Sequence, residues 1–577
     1  MIGNRLARTL LINGSEGKGK EPAMKPRGKR GWVACLAIML AATLAGCGGG
    51  YNAVGDGVTT EGGQTSGTGT TVTALHSMPK ELAVGDAMIV DVGDAGEIRI
   101  DFSGVDSSAK FILAVGSYNE TGASTSVQLS ADLSLPEIDP SSKAMAVESE
   151  PIPEDEGYGA EEIMSAWLRA SEEGLADQEV LSANEGMLKS MSIIKAMSIG
   201  DTETFRVLSS LSSVNSYVEV RGSVRCVEDS VAFYVDATIS ADVLSDADVQ
   251  GLCSEFNRVV AEEQALLGNT SDVDGDGRVH VLMTSQINKL GALGGGVITG
   301  YYYAGDEYER SQSNPTSNHR EVIYTMVPDE AGQFGYAITK AFAMQNLLPA
   351  VLPHELQHAI SYNQHVLVNG GQPEENWLNE GLSHLAEDLM GHNRENPSRY
   401  SLYLASPSTY GFLTQSSPNL MERGASYLFL RYMYEQASDG NAFMKNIEQT
   451  NLRGVANLEA AFAGAQDFSQ FPQFVSRWVV TLAMSDRGIS QDSRFTYRPR
   501  TKNAATGEWQ GVMLEGDVED GRGTQLNGVN LNQYNGYHTA SIDGTTAKFY
   551  NVTTVPEAIT IAGSLGGGNF GALIRYQ

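Results

Sequence analysis

Basic residues are scarce in this chain of 577 residues, which has 39 lysines and arginines against 70 aspartates and glutamates and a formal net charge of −31. A protein that binds nucleic acid neutralises phosphates with clustered Lys and Arg side chains. The charge balance therefore excludes a nucleic-acid partner. The hydrophobic content of 41% and the aromatic content of 8% are too high for a disordered polymer, so we expect two or more compact units.

The N-terminal region lacks an apolar run long enough to span a membrane. The uncharged stretch Gly31–Gly46 follows a basic cluster ending at Arg30, and it is shorter than the roughly 20 residues that a spanning helix needs. This pattern predicts a signal peptide over residues 1–46. Its end, Leu44-Ala45-Gly46-Cys47, resembles the lipobox of bacterial lipoproteins, in which the Cys carries the lipid. We expect an exported protein anchored through Cys47 to a bacterial membrane or cell surface; an ordinary signal peptide is the alternative.

Cysteine is also rare, with four in the chain. Cys35 leaves with the signal peptide and Cys47 carries the lipid, so Cys226 and Cys253 remain in an oxidising compartment. A disulfide between them is expected, and two buried thiols are the alternative.

Composition and periodicity divide the rest of the chain. A Gly-, Ser- and Thr-rich stretch predicts a tether, alternating apolar residues predict strands, and a Pro-rich acidic stretch predicts a linker. Strand patterns followed by helical patterns favour an α+β fold with segregated helices. The predicted segments are a tether at 47–72, a small β-sandwich domain at 73–135, an acidic linker at 136–197, a catalytic domain at 198–495 and a C-terminal β-domain at 496–577.

The chain has nine histidines, and two of them stand in the sequence His354-Glu355-Leu356-Gln357-His358. On a helix, positions i and i+4 share one face, so both imidazoles can bind one cation while Glu355 lies beside it. Pro353 suits a first helical position, and we expect the helix to begin there rather than to continue from Leu347. This pattern predicts a metal site with Glu355 as general base.

A catalytic zinc site takes three protein ligands and keeps one position for water. Glu380 begins a second predicted helix, and the glycines at 370 and 371 predict a turn between the two helices. Two antiparallel helices would bring Glu380 to His354 and His358. Two imidazoles and one carboxylate form a hydrolytic zinc site.

Three strings resemble the hyicolysin family of gluzincin metallopeptidases: HELQHAISYNQH at 354–365, WLNEGLSHLAEDL at 377–389 and GASYLFLRYM at 424–433. The likeness covers residues 231–487. It implies a gluzincin, thermolysin-like domain with neutral protease activity, one zinc ion bound by His354, His358 and Glu380, and Glu355 as base. The predicted domain at 198–495 would then be flanked by the two β-rich domains.

The sequence departs from the wider gluzincin pattern at two places. Many gluzincins carry an acidic residue four positions after the third ligand, where this chain has His384, so His384, Glu387 and Asp388 are the candidates to orient a zinc imidazole. Aminopeptidase-type gluzincins place an oxyanion-stabilising Tyr where this chain has Met421, so Tyr427 and Tyr410 are the candidates. The chain also lacks the G-x-M-E-N string that holds a free amino terminus, which favours endopeptidase action.

A second metal is suggested by Asp272, Asp274 and Asp276, which alternate with Gly275 and Gly277 as in a calcium loop. The acidic twelfth residue of such loops is missing, since Met283 stands there. The two interpretations are a Ca²⁺ site and an Asx-rich turn leading into a strand.

The leading hypothesis is a surface-tethered zinc endopeptidase acting on proteins or peptides. A non-catalytic surface lipoprotein on a degenerate peptidase scaffold is one alternative, and a zinc hydrolase of a non-peptide bond is another. Zinc analysis distinguishes the non-catalytic lipoprotein from the two zinc hydrolases. Digestion of casein distinguishes the endopeptidase from the hydrolase of a non-peptide bond.

Overall fold

The structure, a computed structural model, describes residues 78–93, 96–131, 159–182, 197–414, 418–564 and 567–577. The predictions for residues 1–72, including lipidation of Cys47, lie outside these residues. The described residues belong to one compact unit, Thr68–Gln577, and have a mixed α+β structure. Within the described part, no helix combines the length and the apolar character that a membrane span requires.

The strands, in chain order, are β1 (Ala87–Asp91), β2 (Glu97–Asp101), β3 (Phe111–Ser117), β4 (Thr125–Ala131), β5 (Thr202–Leu208), β6 (Tyr217–Val227), β7 (Val231–Asp236), β8 (Val279–Met283), β9 (Gly300–Tyr302), β10 (Val322–Thr325), β11 (Thr501–Lys502), β12 (Trp509–Gln510), β13 (Glu515–Asp517), β14 (Gln525–Asn527), β15 (Asn532–Gln533), β16 (Tyr537–Ile542), β17 (Ala547–Val552), β18 (Ala558–Ala562) and β19 (Asn569–Arg575).

The helices are α1 (Ala160–Ser182), α2 (Asp246–Leu267), α3 (Ser285–Leu293), α4 (Lys340–Phe342), α5 (Leu348–Tyr362), α6 (Asn376–Leu389), α7 (Asn396–Ala405), α8 (Leu420–Gln436), α9 (Gly440–Glu448), α10 (Gly454–Ala461) and α11 (Phe471–Met484). Two π-helical segments, Ala343–Leu347 and Asn363–Val368, lie directly before and after α5.

A β-sandwich is built from both ends of the described chain. One sheet has the order β1-β19-β3-β17-β15 and the other the order β16-β4-β18-β2. Leu113 in β3 pairs with Leu573 in β19, and Leu129 in β4 pairs with Ile561 in β18. These side chains share one apolar core between the two sheets.

This arrangement corrects the expectation of two separate β-domains at 73–135 and 496–577. Every residue of β3 is buried, which a strand achieves only with neighbours on both edges and packing on both faces. The edges are taken by β17 and β19, and the outer face of the sheet joins the core that contains α11. The four strands before residue 132 therefore depend on the C-terminal strands for their pairing.

A second sheet, with the order β5-β6-β7-β8-β10-β9, forms the first layer of the predicted catalytic domain. Its strands β7, β8 and β10 run parallel, and β9 closes one edge antiparallel to β10. A disulfide joins Cys226 in β6 to Cys253 in α2, as the sequence predicts. Helix α2 begins at a capping box between Ser245 and Asp248, which fixes its start after β7.

Helix α1 lies inside residues 136–197, where the sequence predicted a linker. Met164 and Leu168 are buried in the main core, and Trp167 stacks on Tyr303 with 6.2 Å between ring centroids. The predicted linker is therefore helical over residues 160–182, and the buried face of this helix was not expected. The apolar side chains at positions 164, 167 and 168 recur at helical spacing and give α1 a face to bury.

Candidate metal centre

Helix α5 carries the two predicted metal-binding histidines. It begins at Leu348, with Pro349 in its first turn and Pro353 inside the helix, so the expected start at Pro353 is wrong. The preceding π-helical segment leads directly into α5, and Pro353 lies just past the first turn, where its missing N–H removes only one intrahelical bond. The rings of His354 and His358 lie one turn apart, with centroids separated by 4.9 Å.

Glu380 approaches these histidines from α6. Its Oε2 is 3.5 Å from His354 Nε2, and its Oε1 is 3.7 Å from His358 Nε2. All three side chains are buried, and their ligand atoms lie within 4.8 Å of one another. The structure thus brings together the three ligands that the sequence predicted.

The close packing of α6 and α8 depends on Gly381. A Cβ at this position would lie 2.7 Å from Leu430 Cδ1 and 2.9 Å from Ser426 Cβ, both on α8. This approach brings Arg423 of α8 to the site, with its Nη1 3.3 Å from Glu380 Oε2. Although burial opposes ionisation, Arg423 and the neighbouring histidines hold the pKa of Glu380 well below its usual range.

Glu387, two turns after Glu380 on α6, orients His354. Its Oε1 lies 2.8 Å from His354 Nδ1 and 2.7 Å from His384 Nδ1. A proton on His354 Nδ1 donated to this carboxylate leaves Nε2 as the atom available to a metal. Of the three candidates for this role, Glu387 makes the polar contact with His354 Nδ1, while the ring of His384 lies beside that of His354, with centroids 4.8 Å apart, and its Nδ1 contacts Glu387.

His354, His384 and Glu387 form a second group whose atoms could hold a metal ion. However, His384 is fully buried and does not line the cavity at this site, whereas His354, His358 and Glu380 do. A catalytic ion must be reached by substrate, so the group with Glu380 is the better candidate.

The predicted general base is held by the edge strand of the sheet. The Tyr302 backbone N–H donates to Glu355 Oε2 at 2.9 Å, and burial raises the pKa of Glu355. This hydrogen bond uses one of the two carboxylate oxygens. In an antiparallel strand, residues two apart point their N–H and C=O groups to the same side. Gly300 and Tyr302 are two apart in β9, so the backbone groups of Gly300 also face the side where Glu355 lies.

The donor set and the local charge fit a divalent cation. Burial lowers the pKa of His358 well below its usual value, so this imidazole is neutral and can act as a ligand. His354 behaves differently: although burial opposes its charge, Glu380 and Glu387 raise its pKa to about 10. The carboxylates of Glu355, Glu380 and Glu387 therefore stabilise a positive charge on the His354 ring, at the position where a cation would bind.

An open cavity of about 590 Å³ leads to these residues. Its walls come from α1, the residues around β9, and helices α5 to α8. Ser165 Oγ of α1 donates to Glu380 Oε1 at 2.8 Å, and Glu161 of the same helix pairs with Arg423 at 2.7 Å. Arg169, also on α1, lines the cavity as well.

The candidate oxyanion tyrosines do not reach this cavity. Tyr427 is fully buried, donates to Asp388 Oδ2 at 3.0 Å and stacks on Tyr400. Neither Tyr427 nor Tyr410 is among the lining residues, so the structure does not support this role for either. Arg423 does line the cavity, and its Nη2 is buried with no hydrogen-bond partner among the described residues. Nothing in the residues around Arg423 predicts that its side chain lines this cavity.

No protein-family model matches the chain, and no curated protein matches it in sequence.

Proposed function

We propose that this protein is a zinc-dependent endopeptidase of the gluzincin type, exported and anchored by lipid on Cys47. The observation that carries the proposal is the convergence of His354 Nε2, His358 Nε2 and the Glu380 carboxylate in an open cavity, with Glu355 one residue from the first ligand. Two imidazoles and one carboxylate are the ligands of a hydrolytic zinc site.

Each nearby side chain has a role in this proposal. Bound zinc would supply Lewis-acid chemistry toward a peptide carbonyl and a water molecule. Glu355 would act as the general base that takes a proton from the attacking water and passes it to the leaving amine, a role for which its raised pKa is suited. Glu387 holds the ring of His354, and the unpartnered Nη2 of Arg423 can donate to the developing oxyanion.

The cleft fits an extended peptide better than a compact small molecule. Strand β9 pairs only with β10 in its sheet, so its other edge can hydrogen-bond to an added strand. Gly300 is at this edge and lines the cavity. A peptide aligned there would run past Glu355, which is joined to the same strand through Tyr302.

The test is the Glu355→Gln variant of the purified protein, assayed for zinc by mass spectrometry and for hydrolysis of casein. The amide keeps the size and the hydrogen bond from Tyr302 but cannot accept a proton, so turnover should fall by roughly 10² to 10⁴-fold with zinc retained. Glu262→Gln is the matched control, since Glu262 is half exposed on α2 and pairs with Arg258. Near-normal turnover in Glu355→Gln would contradict the mechanism. A zinc-loaded wild-type protein that cleaves no peptide bond would instead support a zinc hydrolase of a non-peptide bond, and a protein that holds no zinc would support the non-catalytic lipoprotein.

A further inference from the structure

The loop between α2 and β8 carries the three aspartates of the suggested calcium motif. Asp272 Oδ1 accepts from the Gly277 backbone N–H at 3.0 Å, and Gly275 and Gly277 have φ values of 76° and 71°. Such hydrogen bonds would also occur in an Asx-rich turn without metal. The loop alone therefore does not decide between the two interpretations.

The deciding residue comes from another part of the chain. Glu321 immediately precedes β10, the parallel neighbour of β8, and its backbone carbonyl accepts from the His280 N–H at 2.8 Å. This pairing brings the Glu321 side chain to the loop, where its Oε1 accepts from the Val273 N–H at 2.8 Å and from Ser271 Oγ at 2.5 Å. Glu321 thus lies against the aspartate loop although it is distant from it in sequence.

One oxygen of Glu321 is left without a partner. The residue is 1% exposed, and Oε2 accepts no hydrogen bond from any described residue. A buried carboxylate oxygen with no partner is costly, and native structures usually satisfy it with a water molecule or an ion. Carboxylate oxygens of Asp272, Asp274 and Glu321 all lie within 4.8 Å of one another.

Two cationic side chains lie near this group. Arg320 Nε is 3.8 Å from Asp274 Oδ2, and Arg320 also pairs with Glu203 through Nη1 at 2.7 Å. His280 Nε2 lies 3.2 Å from Asp276 Oδ2 and 3.5 Å from Asp274 Oδ2. Arg320 is thus shared with a carboxylate outside the group, and His280 is shared between two carboxylates of the loop.

We propose that Asp272, Asp274 and Glu321 bind a calcium ion, with Glu321 in place of the acidic residue that the linear motif lacks. Calcium takes carboxylate oxygens in flexible geometry, whereas magnesium requires a stricter octahedron. The position expected from the motif is Met283, which is buried in β8. The ligand is supplied by the adjacent strand instead. The ion would link the α2–β8 loop to Glu321 at the start of β10, and β10 pairs with β9 at the cavity.

The test is a calorimetric titration with CaCl₂ of the purified, zinc-containing protein after dialysis against calcium-free buffer. One calcium per chain should bind, with a dissociation constant below the roughly 1 mM of the weakest natural calcium modules, and the melting temperature should rise. Glu321→Gln and Asp272→Asn should each weaken binding by at least tenfold. Asp272 is exposed, so its variant is expected to fold even if the Glu321 variant does not.

Asp242→Asn is the matched control, because Asp242 is exposed in the connection between β7 and α2 and does not belong to the proposed calcium site. It should bind calcium as the unmodified protein does. Absence of calcium binding would overturn the proposal, as would unchanged affinity in the Asp272→Asn protein. A site that takes a second zinc ion in preference to calcium would also overturn it, since His280 would then be the better ligand.

Discussion

Glu387 Oε1 lies 2.8 Å from His354 Nδ1, so the carboxylate two turns beyond the proposed third ligand fixes the imidazole of the first. The same oxygen is 2.7 Å from His384 Nδ1, and Arg399 Nη1 is 3.6 Å from Glu387 Oε2. Although burial opposes ionisation, His384 and Arg399 hold the pKa of Glu387 below its usual range. The carboxylate is therefore charged, as an acceptor for a metal-binding histidine should be.

Replacing Glu387 with Gln should weaken zinc binding by about 10 to 100-fold, because the amide is a poorer acceptor for His354 Nδ1 and no longer increases the basicity of the ring. The measurement is zinc competition against a chelator of known affinity. The Glu262→Gln protein serves as control and should bind zinc normally. Unchanged zinc affinity in the Glu387→Gln protein would remove this residue from the site.

Replacing Glu380 with Ala should cause loss of zinc itself. The change removes one of three ligands and its charge, and it leaves Arg423 without that partner beside the two histidines. Zinc content by mass spectrometry should be low, and peptide turnover should fall as a consequence. The comparison is with Glu355→Gln, which should keep its zinc. Full zinc occupancy after removal of Glu380 would assign the third ligand elsewhere, with Glu387 as the next candidate.

Two glycine substitutions should change stability in opposite directions. Gly381→Ala places a Cβ against Leu430 and Ser426 and should destabilise the fold by about 1 to 3 kcal/mol through overpacking. Gly251→Ala is the matched control, since Gly251 is exposed in the interior of α2 with no atom within 4 Å of the added carbon. That variant should be more stable by about 0.5 to 1 kcal/mol. Urea unfolding of both proteins measures the difference, and equal effects would contradict the close α6–α8 packing.

The disulfide between Cys226 and Cys253 should stabilise the chain by roughly 3 to 4 kcal/mol, on the loop-entropy model for its sequence separation of 27. Replacing both cysteines with Ala should lower the free energy of unfolding by that amount. Reduction of the unmodified protein should give a similar loss, and the double variant should not respond to reductant. A reductant-insensitive unmodified protein would mean that the two thiols are not bonded.

Lipidation should depend on Cys47. A Cys47→Ala protein expressed in bacteria should incorporate no labelled palmitate, and the matched Cys35→Ala protein should incorporate it normally because that residue lies within the predicted signal peptide. Labelled fatty acid retained on the Cys47→Ala protein would refute the lipoprotein assignment.

The sequence predicted which side chains come together at the candidate metal centre because helical geometry is local. Residues four positions apart share one face of a helix, so His354 and His358 could be paired without knowledge of the fold. The contact of Arg423 with Glu380 and the hydrogen bond from Tyr302 to Glu355 escaped prediction because they arise through packing of α8 on α6 and of β9 on α5. Nothing in the residues around these side chains marks those contacts.

Helix α1 was predicted only in part, for a different reason. The acidic, Pro-rich composition of residues 136–164 indicated a linker, the helical patterns after it were weak, and the apolar face formed by Met164, Trp167 and Leu168 was not recognised. A shorter window would have found its helical spacing. The partners of β1 to β4 could not have been found in this way. The alternation of apolar and polar residues in a strand indicates which of its faces is buried, but it does not identify the neighbouring strand.

The β-sandwich combines strands from both ends of the described chain, and this determines when its strands can pair during synthesis. A chain is synthesised from its N-terminus, so β1 and β3 emerge early, yet both pair with β19, whose first residue is Asn569. Neither strand can pair with β19 until the whole region between the two ends of the sandwich has been made. Contacts so distant in sequence form slowly. The newly made protein therefore has to be kept from aggregation until its final strand is made, and a chain truncated before β19 would leave β1 without its partner and β3 paired with β17 alone.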